Sequence, residues 1–132
     1  MALVLRTHFS DQRTWQALCA AIQAPVGDYG FRASVDFVDD ARNSGLGPDQ
    51  LLGRFAKGGE QTFVIVADDE TMSHPEHPLL VVDLYTERGR AFRAAPSAIQ
   101  AIENNLSIAN MDFAEFADAI DEDGVFRGFP QP

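Results

Sequence analysis

The chain has 132 residues, of which 45% are hydrophobic and 10% aromatic, and its formal net charge is −10. That is the length of one domain with apolar material enough for a core, which excludes a disordered chain. The charge excludes nucleic acid and anionic membranes as natural partners, because phosphate binding needs clustered Lys and Arg. A basic protein, a cation or a neutral small ligand remains.

The single cysteine, Cys19, rules out an intrachain disulfide. No run approaches the ~20 apolar residues of a membrane span. Met1 to Arg6 lacks the basic and then apolar pattern of a signal peptide. The expectation is a cytoplasmic protein with one α/β domain over residues 1–132, frayed at Pro130-Gln131-Pro132.

In chain order, residues 2–7 are β-prone. Ser10 is placed to cap a helix starting at Asp11, with Trp15, Leu18, Cys19 and Ile22 on one apolar face. Pro25 and Gly27 stop it. Ala33 to Val38 reads as a second strand and 39–47 as a loop. Pro48 opens a short helix that buries Leu51, Leu52 and Phe55. Thr62 to Ala67 and Leu79 to Leu84 are continuous aliphatic runs, as in strands buried on both faces. A polar loop, DDETMSHPEHP, joins them. Gly89 suits a hairpin turn into a strand at Ala91 to Ala94. Ser97 with Gln100, and Asp112 with Glu115, fit capping boxes for two final helices, the second burying Phe113, Phe116, Ala117 and Ile120. Gly124 stops that helix, and Val125 to Phe129 docks back on the body or on a neighbouring copy. The order β-α-β-α-β-β-β-α-α predicts a partly parallel mixed sheet of about five strands with a hairpin edge. A thioredoxin-like or flavodoxin-like strand order fits it equally.

In an open α/β sheet, ligands bind at the carboxyl ends of the parallel strands. If the first three strands are parallel, His8, Asp39, Asp40, Asp68 and Asp69 emerge at one edge, where the loop with His74, Glu76 and His77 begins. Such a set suits a divalent metal at His8, His74 and His77, or general acid-base work. Asp after a strand also simply caps turns. The other candidate is acidic. No Lys or Arg lies between Arg93 and Arg127; Asp118, Asp121, Glu122 and Asp123 cluster near the expected end of the last helix, and with Glu115 they make one candidate docking face. Carboxylates oppose the dipole there, so local stability does not explain them, whereas docking of a basic protein does.

No Walker A, G-x-G-x-x-G or G-x-S-x-G sequence is present, and no EF-hand register places oxygen ligands correctly. Cys19 on an apolar face reads as a structural thiol. Arg6, Arg88, Arg90 and Arg93 form a possible anion group, with the last three better suited to pairing across the hairpin. No cofactor is therefore expected, the metal aside. The function read from these residues is a non-catalytic protein-binding module, immunity-like or regulatory. The alternative is a metal-dependent enzyme or small-ligand binder at the His/Asp edge.

Three strings, VGDYGFRASVDFVDD, HPEHPLLVVDLY and ENNLSIANMDFAEFADAIDEDGVFRGF, resemble a family of small uncharacterised actinobacterial proteins that carry one domain of unknown function. The resemblance spans nearly the whole chain. It implies a free-standing bacterial domain, with no activity, cofactor or site residue to carry over.

Overall fold

Alternation along the strands sorts their side chains onto two faces of one sheet, and each face has its own core. The computed structural model describes residues 1–129, so the expected fraying of residues 130–132 lies outside the described residues. The elements are β1 (Ala2–Arg6), α1 (Gln12–Gln23), β2 (Val35–Val38), α2 (Pro48–Leu52), β3 (Phe63–Ala67), α3 (Asp69–Ser73), β4 (Leu79–Asp83), β5 (Ala91–Ala94), α4 (Ile99–Ser107), α5 (Phe113–Ala117) and β6 (Val125–Phe126). The six-stranded sheet has the order β2-β1-β3-β4-β5-β6. β1 is parallel to β2 and β3, β4 is antiparallel to β3 and β5, and β6 is parallel to β5. Every strand except β4 therefore runs the same way.

The larger core takes Val4, Ile65 and Val81 from the sheet and covers them with Trp15, Leu18 and Ile22 of α1, Ile99 and Ile102 of α4, and Phe116 of α5. The smaller core, on the other face, packs Leu5, Val64, Val66 and Val82 beneath Leu51 of α2. All of β3 is buried because it lies inside the sheet with both faces covered. α1 and α2 thus lie on opposite faces. The order β2-β1-β3-β4-β5 is that of a flavodoxin-like doubly wound sheet, with β4 reversed and β6 added.

Four expectations change. Asp11, not Ser10, caps α1, accepting from the amides of Arg13 and Thr14 at 3.0 and 3.2 Å; its extended backbone lets the short carboxylate reach back, while Ser10 turns to His8. α4 has no side-chain cap and follows a 3-10 turn at Pro96–Ala98. α5 ends at Ala117, leaving Ile120 partly exposed instead of buried. The sheet has six strands instead of about five, because Val125 and Phe126 pair with Arg93 and Ala94. The β4–β5 hairpin is consequently covered and is not an edge. Phe126 is fully buried within the chain, edge-on to Phe116 at 5.3 Å, so it is not free for a neighbouring copy. Inside the polar loop the chain also forms α3, which Asp68 caps through Thr71.

The C-terminus of α4 has the hydrogen bonds of a Schellman motif: Ala109 N–H to Leu106 C=O and Asn110 N–H to Asn105 C=O. Glycine normally holds the left-handed position of that motif, yet here it is Ala109, at φ 55°. Replacing Ala109 with Gly removes the Cβ conflict and offsets the extra freedom of the unfolded chain. Ala109→Gly is expected to raise the unfolding free energy by about 0.5–1 kcal/mol in a urea titration.

Candidate functional site

β1, β2 and β3 are parallel, so their carboxyl ends share one edge, and the reversed β4 begins there too. The sequence-predicted residues follow these ends. The connection after β1 runs to β2 on one side and the connection after β3 runs to β4 on the other, so the crevice of the doubly wound fold opens between β1 and β3. At that point His8 Nε2 lies 2.7 Å from Ser10 Oγ and 3.7 Å from Asp69 Oδ1. Both neighbours address the same ring nitrogen. In a serine-hydrolase triad the carboxylate holds the opposite nitrogen, so the trio lacks triad geometry.

The other two histidines face local partners. His74 Nδ1 accepts from the Glu76 amide at 3.0 Å. His77 Nδ1 is 2.9 Å from the Thr71 carbonyl, and since a carbonyl only accepts, that nitrogen carries the proton. Among the described residues no group of three or more His, Cys, Asp or Glu side chains is arranged to hold a metal ion.

The carboxylates of this edge are engaged by arginines. Arg93 forks onto Asp68, Nη1 to Oδ1 and Nη2 to Oδ2, both at 2.8 Å. It also donates to the Pro78 carbonyl at 3.1 Å and pairs through Nε with Glu70. Fully buried Thr71 accepts from the Asp68 amide and sits 2.8 Å from Pro78 O. Burial alone would raise the Asp68 pKa, but the Arg93 and Thr71 hydrogen bonds outweigh it and hold it below the usual value. Arg6, 2% exposed, donates to Asp39 at 3.2 Å, to Gln12 at 2.7 Å and to the His8 carbonyl, with Phe9 and Trp15 against its guanidinium. Asp40 caps the 3-10 turn at Ala41–Asn43 and pairs with Arg42, whose hydrogen bonds lower its pKa to about 2. Cys19 is half-buried; burial, with Asp39 adding to it, pushes its thiol up to about 11.

The acidic cluster lies on α5 and the turn after it. Glu115 accepts from the Asp112 amide at 3.0 Å and completes a helix start. Arg90 pairs with Asp118 at 2.7 Å, and Arg127 with Asp121 at 2.7 Å, Asp123 at 2.6 Å and Glu76 at 3.0 Å. Because α5 stops at Ala117, Asp121, Glu122 and Asp123 do not oppose its dipole, and two arginines stabilise the cluster. Local pairing thus accounts for Asp121 and Asp123, while Asp118, at the C-terminal end of α5, is held by Arg90. The arginines also do not form an anion group: Arg6 is buried, and Arg88 caps α2 through the Leu52 and Phe55 carbonyls. Asp123 and Arg127 meet across the turn into β6, and nothing local in the sequence marks Arg93 as the partner of Asp68.

The fold and this edge define a doubly wound α/β protein with an acidic, arginine-laced rim. The chain belongs to the family described as domain of unknown function (DUF6924), whose model matches residues 1–129. A comparison with curated proteins finds no match. Among the described residues no helix is long and apolar enough to cross a membrane.

Arg127 hydrogen bonds lower the pKa of Glu76 and Asp123, as Arg93 and Thr71 do for Asp68. A carboxylate with a lowered folded pKa adds stability that is complete above its unfolded value and lost as pH falls through the folded one. Unfolding free energy is therefore expected to fall as pH drops below about 4. In Arg93→Gln that acid-side fall becomes shallower, because Asp68 loses its fork. Urea midpoints across the acid range check this, and an unchanged slope in the variant rejects it.

Proposed function

We propose that this protein is a non-catalytic cytoplasmic binding module, immunity-like or regulatory, that docks a basic protein on the face of Glu115, Asp118, Asp121, Glu122 and Asp123. One observation carries the reading: carboxylates outnumber the guanidiniums that hold them. Glu76, Asp121 and Asp123 share Arg127, Asp118 shares Arg90 with Glu87, and Glu122 has no ion pair among the described residues. The side chains of Asp118, Asp121 and Asp123 remain 70%, 55% and 53% exposed, so their remaining lone pairs face solvent. The arginines order these groups in advance, which reduces the entropy lost on binding. The net charge of −10 adds a long-range field of the same sign. Capture from native lysate at low salt is expected to retain a basic protein and to release it as ionic strength rises. Asp118→Lys with Glu122→Lys should weaken that complex by about tenfold or more, with an unchanged circular dichroism spectrum. An empty capture at low salt rejects the reading.

A second reading, a small-ligand or metal site at the His/Asp edge, is favoured by the position of His8 and Asp69 at the β1/β3 crevice. Asp11 already fills the α1 amides and Asp68 those of α3, so a neutral or cationic ligand fits better than a phosphate. The reading expects one divalent metal to raise the Tm by several degrees near a hundred times its Kd. His8→Ala should abolish that rise, and a rise that survives places the metal elsewhere.

A further inference from the structure

The end of the sheet opposite the carboxyl edge carries a different kind of site. Because β4 is reversed, its last residue, Asp83, comes out beside the start of β3 and pairs with Phe63. The end of α4 and the start of α5 close over that corner. They leave a cavity of about 160 Å³ bounded by Phe63, Asp83, Thr86, Leu106, Met111 and Asp112. Among the described residues no Lys or Arg lines it. Arg88 is turned onto the Leu52 and Phe55 carbonyls, and Arg90 is held by Glu87 and Asp118. Asp83 is 2% exposed, and its carboxylate takes hydrogen bonds from the backbone amides of Tyr85, Thr86 and Glu87. Both Asp83 oxygens are thereby engaged, so the group acts on the cavity through its charge and not through an open acceptor position. A buried negative charge without a counter-ion thus borders an apolar hollow, and such a charge favours a cationic guest.

We propose that this cavity takes one arginine side chain of the basic protein partner, the guanidinium toward Asp83 and Asp112 and the alkyl stem on Leu106 and Met111. Size points to a single side chain. Cavities of about 150 Å³ take a benzene-sized guest, whereas metabolite and cofactor pockets run to about 300–1,000 Å³. The rim points to a protein. Tyr85, which lines the cavity, is 72% exposed, a ring that a free amine would leave uncovered. Arginine in a desolvated pocket is a recurring interface anchor, and its guanidinium keeps its charge there. The cavity also adjoins the acidic face. The five residues of α5, rising about 7.5 Å, separate Asp112 from Asp118. The identity of the partner rests on the docking reading above; the cavity chemistry does not.

Isotope-labelled protein titrated with N-acetyl-arginine amide, and in parallel with its neutral citrulline counterpart, tests this by NMR. Arginine amide is expected to move the Tyr85, Thr86, Ala109 and Met111 amides saturably in the millimolar range, and citrulline amide to bind about tenfold more weakly or less. Asp112→Asn keeps a helix cap while removing a charge and should weaken binding. Thr86→Trp, at an exposed position, should block the mouth and abolish it. Equal shifts with citrulline, or shifts confined to the acidic face, overturn the proposal. So does agmatine binding more tightly than an arginine-bearing peptide, which would make this a small-amine site. A captured partner that is indifferent to Thr86→Trp rejects the cavity alone. Saturable arginine binding without any captured partner upholds the cavity and rejects the docking reading.

Discussion

The fork between Arg93 and Asp68 is the constraint around which the carboxyl edge is built. One guanidinium on β5 reaches the end of β3, the first turn of α3 and the carbonyl that precedes β4. Those strands are neighbours in the sheet, but the loops between them are rich in carboxylates. Without this half-buried cation Asp68 and Glu70 would repel each other at the point where β3, β4 and β5 must meet. Charge-assisted, two-point pairing is the strong form of such a contact. It also fixes α3 against the sheet, and with it the position of Asp69 beside His8.

That solution has a functional side. The edge where a doubly wound fold usually holds its ligand is here occupied by the protein's own ion pairs: Asp39 with Arg6, Asp40 with Arg42, Asp68 with Arg93, Glu76 with Arg127. The acidic turn after α5 keeps more negative charge than it neutralises, and the far end of the sheet keeps a buried carboxylate with no cation at all. Reversal of β4 creates that second feature, since it carries Asp83 away from the arginine-rich edge.

The strand runs were legible because β3 and β4 are continuous aliphatic segments, and parallel pairing of β1, β2 and β3 follows from the alternation of strand and helix. From that, the common edge of His8, Asp39, Asp40, Asp68 and Asp69 could be placed by reasoning alone. What these residues touch could not. Arg93 lies 25 positions from Asp68, and Arg6 lies 33 from Asp39, distances at which a sequence carries no pairing signal. β6 is not legible as a strand because two residues give no periodicity; its pairing depends on Phe126 meeting Phe92 and Phe116. The cavity residues were hidden for a related reason. Asp83 sits at the end of an apolar run, where an aspartate reads simply as the start of a turn.

β6 contributes just two register pairs, yet they cover the second half of β5, at Arg93 and Ala94. Exposed strand edges invite pairing with other chains. The tail that follows the acidic turn therefore acts as a guard as much as a structural element. Its hold is aromatic, through Phe116, Phe126 and Phe129 packed within 5.1–5.5 Å of one another, while its backbone contribution is slight. A chain cut before Val125 would keep most of its core and lose its protection, presenting β5 and the bared rings to the next molecule. Protection of the β5 edge in this fold thus rests on Val125, Phe126 and Phe129.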